Sequence, residues 1–463
     1  MEAIANFNNY LGQATALFLV IVGIYLTYKA HFFQFTKLGL IFRSTIGQLF
    51  RKEKGKEEKG LSSFQAFATS LAGTIGVGNI VGVSSAIAIG GAGSIFWMLA
   101  ASFFGMIIKY AEIYISIKHG QGPSVPNNKN YSFAPMNYLK KATKSKLFPI
   151  VFAVLGVFTS LLMGNMAQIN AVCLSVCPSF NLSPQIVGII TVAIIGFLIF
   201  GKQKNLFHAI EFLIPFVGCC YILGGILVIT LNYQNIIPSL YLIIKTAFVS
   251  TAAFGGIVGA GIAKAFSQGI MKGVFSNEAG TGSAGLAHGS CKEKAPEVQG
   301  LWGAVEVFLD TVVISGITAL IILTSGAWRY GGMNGVFRSF SLTFGKGGEI
   351  FTAGCILFFA VTSVLSWSYY GESCVAFLTK EHPRWIFLFR ILFVATVFVS
   401  TYISGETIWI FSEIINSLMI YTNMSGILPV SYTHLGPHKN QVFSSTVLHT
   451  EHKIRKKNPQ NTG

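Results

Sequence analysis

Charged residues are scarce in this sequence. Only 11% of its 463 residues are Asp, Glu, Lys or Arg, whereas soluble domains carry about 25%. In their place stand 52% hydrophobic and 13% aromatic residues. A helix needs about 20 apolar residues to cross the hydrocarbon core of a bilayer, and the chain offers many stretches of that length. These features exclude a soluble fold and predict an all-α membrane protein embedded in the lipid bilayer.

Motifs for catalysis are also absent. The sequence contains no G-x-x-x-x-G-K-[ST] phosphate loop, no H-E-x-x-H zinc motif and no arrangement typical of a Ser-His-Asp triad. The seven cysteines fall mostly inside or at the ends of apolar segments, without the spacing of metal ligands. We therefore expect neither an enzyme nor an ATP-driven pump, and no organic cofactor.

Acidic residues are outnumbered by basic ones, 17 against 33, which gives a net charge of +16. In a soluble protein this excess would suggest nucleic acid. Here most basic residues lie in alternate loops and in the tail, at 29–59, 118–146, 202–204, 292–294, 380–384 and 439–457. This positive-inside pattern predicts no nucleic-acid partner and a multi-pass protein of the inner (plasma) membrane, with the N-terminus outside and the C-terminus in the cytoplasm.

Length and hydropathy predict about eleven spans. They are 12–29, 64–90, 92–118, 148–176, 184–201, 208–231, a broken region at 250–290, 300–325, 350–379, 385–403 and 406–429. We expect an amphipathic helix along the membrane interface at 31–50 and an apolar element at 237–254, although both could be packing elements. The polar, basic segment 430–463 indicates either a disordered tail or sequence foreign to the natural protein.

Two apolar stretches about 200 residues apart are interrupted by glycine and polar residues. The first contains Gly73, Gly76 and Gly78, and the second runs from Phe275 to Ser283. Paired interruptions in the two halves of a membrane protein are typical of a midplane binding site. An unwound helix there offers backbone N–H groups to a carboxylate and carbonyl groups to a cation. Close helix packing by small residues is the alternative.

Other polar residues of the spans permit a structural or a functional role. Asn165 and Gln168 lie one turn apart, and interhelical hydrogen bonding would explain them. Thr362 and Ser363 offer hydroxyl ligands but could bond to their own helix. We favour structural roles for Glu278, which could anchor the second interruption, and for four other charged residues. These are the pair Lys109 and Glu112, which could neutralise each other, and the pair Glu306 and Asp310.

Several motifs, taken together and in order, resemble the alanine or glycine:cation symporter family. They are GTIGVGNIVG at 73–82, KYAE at 109–112, APMNYL at 134–139, GNMAQIN at 164–170, FSNEAGTGSA at 275–284 and SWSYYGE at 366–372. The resemblance covers about 10–429 and implies the leucine-transporter fold. In that fold two inverted five-helix repeats, here about 64–231 and 250–429, follow one extra helix at about 12–29 within a single transmembrane domain, 1–429.

The resemblance also implies the site. Backbone around Gly76, Val77 and Gly78 would meet the substrate carboxylate, and side chains of Gln168, Phe275, Ser276, Asn277 and Trp367 would complete the pocket. Sodium would bind carbonyl groups near Ala72 and Ile75 and the hydroxyls of Thr362 and Ser363. Val77 departs from the family, whose members often carry a small hydroxyl residue at this position.

From these residues and this resemblance we expect a secondary active symporter. Sodium influx would drive uptake of small neutral amino acids, alanine or glycine, by a protein that functions as a monomer. A proton-coupled or glutamine-preferring carrier of the same fold is the alternative within transport. A passive channel or a membrane scaffold is the alternative outside it.

Overall fold

A computed structural model describes residues 1–49, 61–120, 131–249, 261–291, 295–330 and 334–434. This part of the chain is helical apart from one isolated bridge between Leu61 and Cys291. Its helices are α1 Glu2–Lys29, α2 Phe33–Thr36, α3 Leu38–Ser44, α4 Ile46–Leu49, α5 Ser63–Thr74, α6 Val83–Gly90, α7 Gly93–His119, α8 Ala134–Thr143, α9 Leu147–Leu161, α10 Ala167–Phe180, α11 Pro184–Ile199, α12 Gln203–Leu231, α13 Ile236–Phe248, α14 Ile262–Asn277, α15 Ser283–His288, α16 Pro296–Val307, α17 Gly316–Thr324, α18 Gly335–Phe344, α19 Lys346–Leu378, α20 Pro383–Val399 and α21 Gly405–His434.

The helices account for the predicted spans within the described residues. Seven continuous helical segments are long and apolar enough to cross a membrane, and the bent pair α5 and α6 forms an eighth. The other three predicted spans correspond to the 16-residue helix α11, to the broken pair α14 and α15, and to α21. Residues 250–260 of the predicted broken region, and the tail after His434, lie outside the described residues.

The outer surface is apolar and the interior is polar in places, the reverse of a soluble protein. Phe197 is 82% exposed and Ile237 is 74% exposed, while Asn79, Lys109 and Asp310 are fully buried. Soluble monomers rarely expose apolar surface on this scale. The exposed side chains therefore face lipid.

The two elements outside the spans differ from the prediction in detail. The described part of the stretch predicted at 31–50, which ends at residue 49, forms three short helices, α2 to α4, and not one amphipathic helix. His31 and Phe32 adopt positive φ angles of 51° and 56°, which turn the chain sharply after α1. The apolar element predicted at 237–254 is the helix α13, and residues 250–254 lie outside the described part of the chain.

Both predicted interruptions are real breaks in helices. The helix α5 begins with a capping box between Ser62 and Gln65 and ends at Thr74, and the chain then bends by 46° before α6. A π-helical turn, Gly78–Gly82, leads into α6. In the second break Glu278 adopts a left-handed conformation, and Gly280 and Gly282 have φ angles of 87° and 90°, which only glycine adopts readily.

The two breaks divide their spans into four half-helices, α5 and α6 in the first span and α14 and α15 in the second. These half-helices meet in pairs, one from each span. At one end of the molecule the Leu61 N–H donates to the Ser290 carbonyl, so the start of α5 lies beside the end of α15. At the other end Gly90 approaches Gln268 so closely that an added Cβ would lie 2.9 Å from the Gln268 Cβ. The end of α6 therefore lies beside α14, and the two breaks are held midway along their spans.

Candidate functional site

The first break presents its backbone to the spanning helix of α9 and α10. The Val77 N–H donates to Gln168 Oε1 at 3.1 Å, and Gln168 Nε2 donates to the Met163 carbonyl at 3.2 Å. A π-helical turn, Leu162–Met166, joins α9 to α10, and such turns leave a carbonyl available to side chains. Gln168 is thereby fixed against the first break, and its role as a site residue stays a prediction.

Glycine serves different purposes at the two key positions of this break. A Cβ added to Gly76 would lie 2.7 Å from Gln168 Oε1, so the close approach of Gln168 requires glycine there. A Cβ added to Gly78 would meet no atom within 4 Å. Close helix packing, the structural alternative for these glycines, therefore does not explain Gly78.

The helix α19 closes the other side of the first break. Ser363 Oγ and Trp367 Nε1 each donate to the Gly73 carbonyl at 3.3 Å. Thr362 instead donates to the carbonyls of Phe358 and Phe359 in its own helix, which is the structural alternative weighed for it. Of the two adjacent hydroxyls, only that of Ser363 contacts the break in this structure.

The end of α5 has the chemistry of a cation site. Carbonyl groups at the end of a helix lack partners within the helix and carry the negative end of its dipole. The backbone of Ala72 and Ile75 is buried here, and the Ser363 hydroxyl is adjacent at Gly73. Carbonyl and hydroxyl oxygens are the hard ligands that alkali cations prefer.

The polar side chains of the second break are engaged elsewhere. Ser276 Oγ donates to Asp310 Oδ2 at 3.1 Å, and Asn277 Nδ2 donates to Thr311 Oγ1 at 3.3 Å. The Phe275 ring packs 5.9 Å from the Trp409 ring. These three predicted pocket residues therefore have partners on neighbouring elements, and no hydrogen bond found among the described residues joins their side chains to Gln168 or Trp367.

Asp310 joins the two breaks, a role that the sequence analysis missed. Its Oδ1 accepts a hydrogen bond of 2.7 Å from Asn79 Nδ2 just after the first break, while its Oδ2 accepts from Ser276 just before the second. The available signal was an intramembrane carboxylate, which is a functional candidate by default. Its partners could not be inferred without the fold.

Charged residues of α7 hold the second break, and they do so separately. Lys109 Nζ donates to the Asn277 carbonyl at 3.2 Å, and Glu112 Oε2 accepts from the Gly280 N–H at 3.2 Å. Lys109 and Glu112 form no direct ion pair in the described part of the chain, where Lys109 pairs with Glu306 at 3.8 Å. Glu278 anchors the segment as expected, because its Oε2 accepts from Ser283 Oγ at 2.8 Å.

Comparison with known proteins decides the family. The model of the sodium:alanine symporter family matches residues 1–445. This chain belongs to the sodium:alanine symporter family. The sodium/alanine symporter AgcS of Methanococcus maripaludis is 35% identical over 91% of this chain and 92% of its own length. The probable sodium/glutamine symporter GlnT of Bacillus subtilis is 31% identical over 93% and 88%, respectively.

A solved structure confirms the fold. The transporter MhsT in complex with L-phenylalanine matches 80% of this chain and 89% of its own, with a TM-score of 0.59 and 14% identity. The predicted leucine-transporter fold is therefore correct, and at this identity the likeness concerns the fold alone. The protein is a multi-pass membrane transporter of a sodium-coupled family and not an enzyme.

Proposed function

We propose that this protein couples sodium influx to the uptake of a small neutral amino acid, alanine or glycine. The observation that carries the proposal is the buried hydrogen bond between the Val77 N–H and Gln168 Oε1 inside a broken helix. A backbone N–H in a dry, preorganised setting is the group that recognises a substrate carboxylate. The Gln168 oxygen accepts from this donor, and the substrate carboxylate would take its place.

The walls of the first break favour a short side chain. The Trp367 ring is fully buried and lies against Gly164, where an added Cβ would come within 2.1 Å of the ring. Gln168 thus leaves little room beside Gly76, Trp367 fills the space between Gly73 and Gly164, and the space beside Gly78 stays open for a small ligand. Phe275, Ser276 and Asn277, which lie at the end of α14, would complete the pocket.

Sodium in this proposal binds at the end of α5. Carbonyl groups of Ala72 and Ile75 supply ligands, and the hydroxyl oxygens of Ser363 and Thr362 supply two more, since a hydroxyl that donates its proton keeps lone pairs for a cation. Sodium binding and substrate binding are then coupled, because the carbonyl groups that bind sodium and the N–H groups that bind the carboxylate belong to one short break. Alternating access moves one helical repeat against the other around this point.

The remaining expectations are part of the same proposal. The loops rich in Lys and Arg place the N-terminus outside and the C-terminus in the cytoplasm of a plasma membrane. The repeats comprise about 64–231 and 250–429, after an extra helix, and the protein functions as a monomer. The name of the Bacillus subtilis relative keeps glutamine as the competing substrate.

Uptake by purified protein in liposomes tests the proposal. Labelled alanine or glycine should accumulate under an inward sodium gradient and should not accumulate when choline replaces sodium at fixed pH. Uptake of labelled glutamine by the same vesicles shows whether glutamine is the substrate instead. Accumulation that persists in choline and follows a pH gradient would contradict sodium coupling.

A further inference from the structure

The half-helices α5 and α15 are joined at their outer ends. The Leu61 N–H donates to the Ser290 carbonyl at 3.1 Å, and Leu61 and Cys291 form the isolated bridge. Next to this bridge Ser63 Oγ lies 3.7 Å from Cys291 Sγ. A backbone hydrogen bond of this kind between two half-helices restrains one against the other.

A second junction joins the same half-helices in the membrane interior. Glu306 of α16 accepts from Ser70 Oγ of α5 at 2.8 Å and contacts His288 Nε2 of α15 at 2.6 Å. His288 Nδ1 lies 2.6 Å from Gln299 Nε2, an amide donor, so the ring proton lies on Nε2 and is donated to Glu306. Lys109 Nζ lies 3.8 Å from the same carboxylate.

The junction is fully enclosed. Ser70, Lys109, His288 and Glu306 are each at most 1% exposed. A buried carboxylate that loses one of its hydrogen-bond donors is left with an unsatisfied oxygen, which costs free energy. Separation of α5 from α15 would therefore have to break the Glu306 junction on one side and the Leu61 bridge at the same time.

The other two half-helices are joined in the same manner one turn further along the same span. Asp310 accepts from Asn79 near the start of α6 and from Ser276 near the end of α14. A π-helical segment, Phe308–Ser315, contains Asp310 and follows α16, which contains Glu306. One span thus carries two carboxylates, Glu306 for the pair α5 and α15 and Asp310 for the pair α6 and α14. The helix changes from α to π geometry between these two residues.

We infer that α5 and α15 move as a single unit when the site opens toward the side of the basic loops, and that Glu306 is the positioning residue that keeps them together. The inference rests on the proposed transport function. It excludes a cycle in which α5 swings out alone, because that motion breaks both junctions. The pair α6 and α14, held by Asp310, forms the corresponding unit on the opposite side.

A disulfide across the outer junction tests this directly. Ser63→Cys places a second thiol beside Cys291, and the two positions are close enough for a bond after small adjustment. Initial rates of sodium-driven alanine uptake are measured in liposomes after oxidation and again after reduction, with bond formation verified by mass spectrometry. Wild-type protein under the same oxidation controls for the other cysteines.

Comparison of the oxidised and reduced forms of the Ser63→Cys protein shows whether α5 and α15 move together. If α5 and α15 move together, the oxidised and reduced Ser63→Cys proteins transport at the same rate. If oxidation stops uptake and reduction restores it, α5 moves independently and the inference is overturned. Absence of uptake in the reduced wild type would contradict the proposed function and not the inference.

The inner junction is tested in the same background. Ser70→Ala removes one donor to Glu306 and should slow uptake, while Ser84→Ala, whose hydroxyl donates to the Ile80 carbonyl in the adjacent half-helix, should not. Oxidation of the Ser63→Cys, Ser70→Ala double variant should restore the rate, because the disulfide replaces the lost tie. A rate that stays low after complete oxidation would contradict a role of Glu306 in joining the half-helices.

Discussion

The two helix breaks differ in what their polar groups do. In the first break the side chains are mostly apolar, as Ile75 and Val77 are, and the backbone is what faces its neighbours, at Gln168, Ser363 and Trp367. In the second break the side chains are polar, and each described one is bonded to a neighbouring helix or to the break itself. Polar residues in a membrane helix thus indicate a scaffold as readily as a binding site.

Backbone groups of the second break are also occupied. The Gly280 N–H donates to Glu112 and its carbonyl accepts from Asn423 at 2.8 Å. Asn423 in turn accepts a hydrogen bond from the Tyr138 hydroxyl. The second break is therefore a support that is held by its neighbours, whereas the first break can exchange its internal partners for substrate and sodium.

The largest effect, a loss of thermal stability, should follow from a substitution in the second break. Gly282→Ala forces a side chain into a left-handed conformation, at about 1–2 kcal/mol, and places its Cβ 2.6 Å from the Phe152 ring. We expect a clearly lower unfolding temperature of the purified protein, while the protein that remains folded binds alanine normally. Gly347→Ala, which meets no atom within 4 Å, is the matched control. Unchanged thermal stability would contradict a supporting role.

The next effect should appear in binding alone. Gly78→Ala meets no protein atom, so we expect normal stability. Its Cβ should obstruct a charge-assisted hydrogen bond to the substrate carboxylate, worth about 1.5–3 kcal/mol, and so weaken alanine binding about tenfold or more. Calorimetry measures the affinity. Equal affinity in the variant and the wild type would move the substrate site away from Gly78.

A smaller difference should separate the two hydroxyls of α19. Ser363→Ala removes the hydroxyl that already contacts the break, so it should raise the sodium concentration for half-maximal uptake. Thr362→Ala should raise it less, because the Thr362 hydroxyl bonds to its own helix and not to the first break. Sodium titrations of alanine uptake compare the two. The reverse order, or no shift in either variant, would count against this cation site.

The smallest effect should come from Trp367→Phe. The change removes the Nε1 donor to the Gly73 carbonyl, which contributes about 1 kcal/mol, and part of the ring that fills the space beside Gly164. Alanine uptake should fall modestly while uptake of larger neutral amino acids rises relative to it. A competition panel of amino acids gives the ratio. An unchanged ratio would mean that Trp367 does not limit substrate size.

Much of this arrangement could be predicted from the sequence, for a physical reason. Glycine clusters in apolar spans mark breaks wherever they occur, so 72–82 and 275–283 were identified correctly. The hydrogen-bond partners of Asn165 and Gln168 could not be predicted, because the direction of a side chain depends on the local helix geometry. The π-helical turn at 162–166 sends Asn165 to the Phe393 carbonyl, at 2.6 Å, and Gln168 to Val77, although regular helical spacing puts both on one face.

The charged residues show the same limit. Lys109 and Glu112 are spaced for a contact along α7, but each is directed to a different group across the bundle. Asp310 and Glu306 were expected to be structural, and the structure adds that each joins two half-helices. Spacing along a helix predicts which residues share a face and not which neighbour that face meets.

Sodium dependence of alanine affinity tests the central claim most directly. If carbonyl groups at Ala72 and Ile75 bind sodium while N–H groups from Gly76 to Gly78 bind the carboxylate, the two ligands share one break and must strengthen each other's binding reciprocally. Calorimetry on the wild-type protein should therefore show tighter alanine binding in sodium than in choline at equal ionic strength and pH. Equal alanine affinity in the two salts would contradict a shared site at the first break.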